Sequence, residues 1–112
     1  RKEMEQRTKA FSLRVLKLCR ALPKDAAGRA VANQLIRCGT SVGANCRAAG
    51  RARSKAEFRA KLGIVEEECD ECCFWMEVII EDGMLGRHLV QPLLDEANEI
   101  LAIVVSSIRA SR

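Results

Sequence analysis

The sequence predicts an all-α protein folded as an antiparallel, up-down-up-down four-helix bundle. Apolar residues recur at steps of three and four along four separate segments, which is the spacing of one helix face. Short connectors join these segments, and short connectors favour antiparallel neighbours. The composition, with 48% hydrophobic residues and only two prolines in 112 residues, allows a single domain over residues 1–112 with a buried core.

The first helix is predicted over residues 2–22. Pro23 ends it, because proline cannot continue the backbone hydrogen-bond ladder. Its apolar stripe is formed by Met4, Phe11, Val15, Leu18 and Leu22, and is widened by Leu13, Leu16 and Cys19.

The second helix is predicted over residues 25–49, with Asp25 at or near its N-cap. Asn45 interrupts its apolar seam, either as a polar core residue that fixes the register or as a donor to a neighbouring helix. Gly39 and Gly43 each weaken a helix by about 1 kcal/mol relative to alanine, so close packing against another helix is expected here. The seam consists of Val31, Leu35, Cys38, Val42, Asn45 and Ala49.

The third helix is predicted to begin at a capping box formed by Ser54 and Glu57 and to end at Asp82, with Gly83 as its left-handed C-terminal residue. A second apolar strip beside its seam, Ile64, Trp75 and Val78, indicates contacts beyond its own bundle. The seam consists of Phe58, Leu62, Val65, Cys69, Cys72, Met76 and Ile79.

The fourth helix is predicted over residues 90–110, with Pro92 tolerated in its first turn. Its seam consists of Val90, Leu94, Ala97, Leu101, Val104 and Ile108.

No segment reaches the roughly 18 uninterrupted apolar residues of a membrane span, so a cytoplasmic protein without a membrane partner is expected. Because the chain begins at Arg1 rather than Met, some N-terminal residues are expected to be missing.

The formal charge of +4 is divided unequally along the chain. Residues 1–61 contain 16 Lys/Arg and 4 Asp/Glu, a net +12, whereas residues 62–112 contain 3 and 11, a net −8. This division indicates either a polyanion partner for the basic half or charge pairing within the fold or between copies.

The candidate nucleic-acid-binding surface is a set of cations on the second helix and at the start of the third. Projected on an ideal helix, Arg29, Arg37, Arg47 and Arg51 share an arc of about 80° that lies nearly opposite the seam of the second helix. The alternative is a solvated face that pairs with Glu66, Glu67, Glu68, Asp70 and Glu71 of a neighbour. The candidate nucleic-acid-binding surface consists of Arg29, Arg37, Arg47, Arg51, Arg53, Lys55 and Arg59.

Catalytic and metal sites are not predicted. The six cysteines include a Cys69-x-x-Cys72 spacing, but the only histidine, His88, lies in a connector and no second such pair exists. Core filling is therefore favoured over metal binding or redox chemistry. Phosphate-loop, di-iron and hydrolytic patterns are absent, so no cofactor and no enzymatic activity are expected.

Three segments of the sequence together resemble a known family. Ser41-Val42-Gly43-Ala44-Asn45, Ser54-x-x-Glu57-Phe58 and the segment from Glu71 to Phe74-Trp75 are similar to the small bacterial four helix bundle proteins, also called 23S rRNA-intervening-sequence proteins. The resemblance covers Phe11 to about Ile108. Two departures are Cys46, where an aromatic or aliphatic residue is frequent, and Ala48-Ala49, where an acidic residue is frequent. The loss of that acid leaves Arg47 and Arg51 with one fewer partner.

The resemblance implies a left-handed bundle that assembles into a homo-oligomeric ring, commonly a pentamer. Accessory proteins of diversity-generating retroelements are relatives whose basic ring binds nucleic acid and contacts a reverse transcriptase. We therefore expect a non-enzymatic accessory protein that binds RNA or DNA without sequence preference. The alternative is a protein–protein scaffold whose partner is a polymerase or another protein. The expected interface between copies consists of Ile64, Glu71, Trp75 and Val78.

Overall fold

The protein is a four-helix bundle, as the apolar spacing predicts. The computed structural model describes residues 2–112, which form helices α1 (Lys2–Arg20), α2 (Ala26–Gly50), α3 (Lys55–Asp82) and α4 (Arg87–Ala110). Each helix packs on its chain neighbours, and α4 also meets α1, whereas the diagonal pairs α1–α3 and α2–α4 do not approach one another in this part of the chain. The left-handed twist stays a prediction.

The antiparallel arrangement is visible in the contacts between α1 and α2. Ser12 Oγ near the middle of α1 donates to the Gly39 carbonyl oxygen over 2.8 Å, and the Cys19 thiol near its end lies 3.8 Å from the Ala32 carbonyl oxygen. As residue numbers rise along α1, they fall along α2. The bundle is therefore elongated, measuring 44 × 19 × 19 Å.

Gly39 and Gly43 allow the close helix packing expected from the sequence. A Cβ atom at Gly39 would lie 2.6 Å from Val15 Cγ1, and one at Gly43 would lie 2.6 Å from Ser12 Oγ. Both distances are shorter than a nonbonded contact allows. The helix-weakening glycines of α2 are thus explained by the proximity of α1.

Most residues of the predicted seams are buried, and Met4, Phe58, Leu101 and Ile108 are half-buried against the core. Two predictions are wrong. Asn45 is half-buried and its amide donates to the backbone and hydroxyl of Ser41 in its own helix, so it neither completes the seam nor bonds another helix. The buried residue at this level of α2 is Cys46. Leu13 does not widen the α1 stripe, because its side chain is 59% exposed on the side away from the core.

The helix ends also match the predictions in part. Ser54 Oγ accepts from the Glu57 amide, and Gly83 adopts φ 75° as the C-terminal residue of α3. Glu57 reaches the amide of Arg53 at 3.5 Å rather than that of Ser54, so the capping box is not reciprocal. Leu22 is buried although α1 ends at Arg20.

Helix α4 begins three residues earlier than predicted. Gly86 takes an extended conformation before Arg87, and Arg87 donates to the Gln91 side chain over 3.0 Å, which supports the first turn. Pro92 consequently lies in the second turn. Its missing amide removes the backbone hydrogen bond to the carbonyl of His88 in the preceding turn.

A bidentate ion pair connects the first and last helices. Arg7 donates through Nε and Nη2 to the two carboxylate oxygens of Glu96, over 2.8 and 2.7 Å. Glu96 is only 18% exposed, so this pair is better shielded than a surface salt bridge. Hydrogen bonds from Arg7 hold the pKa of the Glu96 carboxyl below its ordinary value.

Candidate nucleic-acid interface

The structure divides the seven predicted cations into separate regions. Arg29 is exposed near the start of α2, about 27 Å along the helix from Arg47. Arg59 is half-buried and donates to the carbonyl oxygen of Ser111, where it meets the partial negative charge at the C-terminus of α4. Arg47, Arg51, Arg53 and Lys55 are exposed at the end where α2 passes into α3.

Arg37 is engaged by two glutamates of its own chain. Its guanidinium donates to Glu68 over 3.2 Å and to Glu71, and Glu71 also accepts from Trp75 Nε1 over 3.1 Å. Hydrogen bonds from Arg37 and then from Trp75 lower the pKa of the Glu71 carboxyl. The predicted pairing of basic and acidic faces therefore occurs within the molecule at Arg37, and its charge is largely compensated.

Arg47 and Arg51 lie on a groove between α1 and α2. This groove has a volume of about 380 Å³, and Lys9 and Gln6 of α1 line its opposite wall. The small residues Gly43 and Ala44 are part of its lining, because the close approach of α1 to α2 excludes large side chains here. A ligand in the groove can therefore approach the α2 backbone between Lys9 on one side and Arg47 and Arg51 on the other.

A second groove adjoins the first and shares Ala44, Arg47 and Arg51 with it. It has a volume of about 460 Å³ and continues to Arg53 at the α2–α3 connector. The two grooves together place three arginines on one continuous surface, which we call the basic end of the bundle: Lys9, Arg47, Arg51 and Arg53.

The charge at the basic end is only partly compensated. Across residues 2–112, ion pairs involve Arg7 and Arg37, and none involves Arg47, Arg51, Arg53 or Lys9. Glu5 and Glu57 line the grooves as well, so the local balance is four cations to two carboxylates. Exposed arginines of this kind bind phosphate groups through paired N–H donors.

Lys9 was not among the predicted site residues. It belongs to α1, whose charges along the sequence show no pattern that separates Lys9 from its neighbours. Only the antiparallel packing of α1 on α2 brings Lys9 across from Arg47 and Arg51. The absence of an acidic side chain at Ala48 and Ala49 was visible in the sequence, and it agrees with the unpaired state of both arginines.

The predicted interface residues occupy one side of α3. Ile64 is 38% exposed, whereas Trp75 and Val78 are half-buried against the core. Glu71 is held by Arg37 and Trp75, as described above. Phe74, which was not among the predicted residues, is 54% exposed and packs edge-on against Trp75 with 4.9 Å between the ring centres.

The cysteines are all buried. Cys38 and Cys72 approach to 3.4 Å between their sulfur atoms, and Cys69 Sγ donates to the Ala97 carbonyl oxygen over 3.1 Å. Burial raises the pKa of Cys19 to about 11 and that of Cys69 to about 12.

No group of three or more metal-ligating side chains occurs within residues 2–112. Over the same range, none of the helices combines the length and apolar character needed to cross a membrane.

Comparison with known proteins agrees with the fold. A crystal structure of a protein of unknown function from the S23 ribosomal protein family of Bacteroides thetaiotaomicron superposes with a TM-score of 0.88 at 30% sequence identity, covering 94% of this chain and 97% of that one. No curated protein matches the chain. Residues 2–106 match the family described as 23S rRNA-intervening sequence protein. The chain therefore belongs to the 23S rRNA-intervening sequence protein family.

Proposed function

We propose that this protein is a non-enzymatic, homo-oligomeric accessory protein of the bacterial cytoplasm that binds RNA or DNA without sequence preference. The supporting observation is the basic end of the bundle, where Arg47, Arg51 and Arg53 are exposed, lack ion pairs within residues 2–112 and line two adjoining grooves. Binding in this arrangement uses phosphate contacts, which carry no sequence information. A ring of copies would repeat the same surface and add its contacts together.

The seven predicted cations are not equivalent in this proposal. Arg37 is compensated by Glu68 and Glu71, and Arg29 lies about 27 Å from Arg47, so neither contributes to the grooves. Arg59 holds the end of α4. The binding surface therefore consists of the basic end, with Lys55 at its margin.

The test is retention of labelled single-stranded RNA and DNA over a series of salt concentrations, with the wild-type chain compared to variants. The logarithm of the binding constant should fall linearly with the logarithm of salt concentration, and Arg47→Gln should reduce the slope by about 0.7 for a single strand. Reversing three charges with Arg47→Glu, Arg51→Glu and Arg53→Glu should abolish retention.

Arg37→Gln is the matched control, because it removes an arginine from the same helix and the same predicted arc. It should leave the affinity and the salt slope unchanged. A wild-type chain that retains neither nucleic acid at low salt contradicts the proposal. An equal loss in Arg37→Gln and Arg47→Gln contradicts the assignment of the site.

A second candidate is a protein–protein scaffold without a nucleic-acid role, with a polymerase such as a reverse transcriptase as one expected partner. The exposed Ile64 and Phe74 on α3 favour it. Capture of protein partners with and without nuclease treatment distinguishes the two candidates. Partners that survive nuclease, together with no retention of nucleic acid, support the scaffold.

A further inference from the structure

The outer side of α3 exposes apolar side chains among carboxylates. Phe74 is 54% and Ile64 is 38% exposed, and Val78 is half-buried beside them. At about 100° per residue, Phe74 and Glu67 point almost directly away from the core. Other exposed acids flank this strip along the helix, and none of them forms an ion pair within residues 2–112: Glu67, Asp70, Glu77 and Glu81. We call this surface the α3 face.

Gly63 lies in the α3 face and has no explanation within the chain. A Cβ atom at this position would meet nothing within 4 Å, in contrast to Gly39, where Val15 occupies the space. Glycine weakens a helix interior, so a packing contact normally accounts for it. The open space beside Ile64 gives room for another backbone to approach.

The outer side of α1 has the opposite charge. Leu13 is the most exposed large apolar residue among those that the structure describes, at 59%, and it points away from the core. Lys17 lies one turn and Arg20 two turns further along the same side, and both are exposed without an ion pair in residues 2–112. We call this surface the α1 face.

The two faces point in opposite directions. Helices α1 and α3 occupy diagonal positions in the bundle and do not approach one another. One molecule therefore cannot bring its own α1 face onto its own α3 face. Two copies can, with Leu13 of one chain against Phe74 of the next and with lysine and arginine opposite carboxylates.

We propose that copies of this chain associate head to tail, with the α1 face of one copy on the α3 face of the next. Charge complementarity selects this arrangement, because a symmetric contact of the α3 face with itself would oppose carboxylates to carboxylates. A contact between two different surfaces leaves one free surface at each end, so assembly continues beyond a dimer. The inference rests on the self-association in the proposed function and assigns its surfaces.

The test is the mass in solution, measured by light scattering on nuclease-treated protein. Leu13→Glu disables the α1 face and Phe74→Lys disables the α3 face, and each variant alone should fall to the single-chain mass of 12.4 kDa. An equimolar mixture should recover twice that mass and no more, because each variant retains the face that the other lacks. Ala102→Lys is the control, since Ala102 is exposed on α4 and belongs to neither face, and it should keep the wild-type mass.

Each other outcome contradicts a defined part of this proposal. A wild-type chain at the single-chain mass overturns self-association and this inference together. A wild-type assembly that persists in both variants overturns the assigned faces and leaves self-association standing. Dissociation by Phe74→Lys alone, with no recovery on mixing, indicates a symmetric contact or a different protein on the α3 face and overturns the head-to-tail arrangement. Circular dichroism of each variant verifies that the helices remain.

Discussion

Gly39 provides the sharpest test of the packing between α1 and α2. The three nearest atoms to a Cβ at this position all belong to Val15, at 2.6, 2.9 and 3.0 Å. Val15 is fully buried and β-branched, so its side chain cannot rotate away without a clash elsewhere. Gly39→Ala should therefore destabilise the protein, although the same change in an open helix position stabilises it.

The size of the effect follows from two opposing contributions. Overpacking a buried site costs about 1–3 kcal/mol, and replacing glycine by alanine in a helix recovers about 1 kcal/mol, so Gly39→Ala should cost about 1 kcal/mol. Val15→Ala removes two of the three clashing atoms and leaves a cavity, which should cost about 2 kcal/mol. In the double variant, the new methyl group fills part of that cavity and meets only the remaining Cβ of residue 15, at 3.0 Å. The double variant should cost less than the sum of the two single variants by about 2 kcal/mol.

Urea and thermal unfolding of the four proteins measure this difference. For a chain of this length, 1 kcal/mol corresponds to a shift in Tm of about 4 °C. Gly39→Ala should lower Tm, and adding it to Val15→Ala should raise Tm relative to Val15→Ala alone. Additive effects of the two substitutions would refute the close contact between these residues, and so would a stabilising Gly39→Ala.

Two further predictions concern ionisable groups. Since Arg7 lowers the pKa of Glu96, the stability from this pair is present above the unfolded pKa of about 4.3 and is lost as pH falls through the folded pKa. Glu96→Gln should therefore cost about 1 kcal/mol at pH 7 and almost nothing near pH 2, and a difference that does not change with pH would contradict it. Burial raises the pKa of Cys19 and Cys73 to about 11 and that of Cys69 to about 12, so a thiol reagent at pH 8 should react slowly with the native chain and fully in urea. Rapid labelling of the native chain at several sites would contradict this prediction.

The sequence was sufficient to predict the architecture, because a helix with one buried face has apolar residues at a regular spacing. Seams such as Val65, Cys69, Cys72 and Met76 repeat at steps of four and three, and all of these residues are buried. Gly83 was also predictable, since few other residues adopt its left-handed conformation. The seam of α2 was misjudged at Asn45, because Asn45 and Cys46 lie next to each other on the helix and only packing decides which of them is buried.

What the sequence by itself determined is the set of four helices, the inward faces and the arginine-rich segment at the end of α2. What only the tertiary structure decided is which charged side chains form ion pairs and which remain open to a ligand. Arg37 and Arg47 lie on the same side of one helix, yet Arg37 meets Glu68 and Glu71, whereas Arg47 lies between open grooves. Helix periodicity fixes the direction of a side chain from its own helix axis. Its partners depend on how neighbouring helices are placed, and no local spacing records that placement.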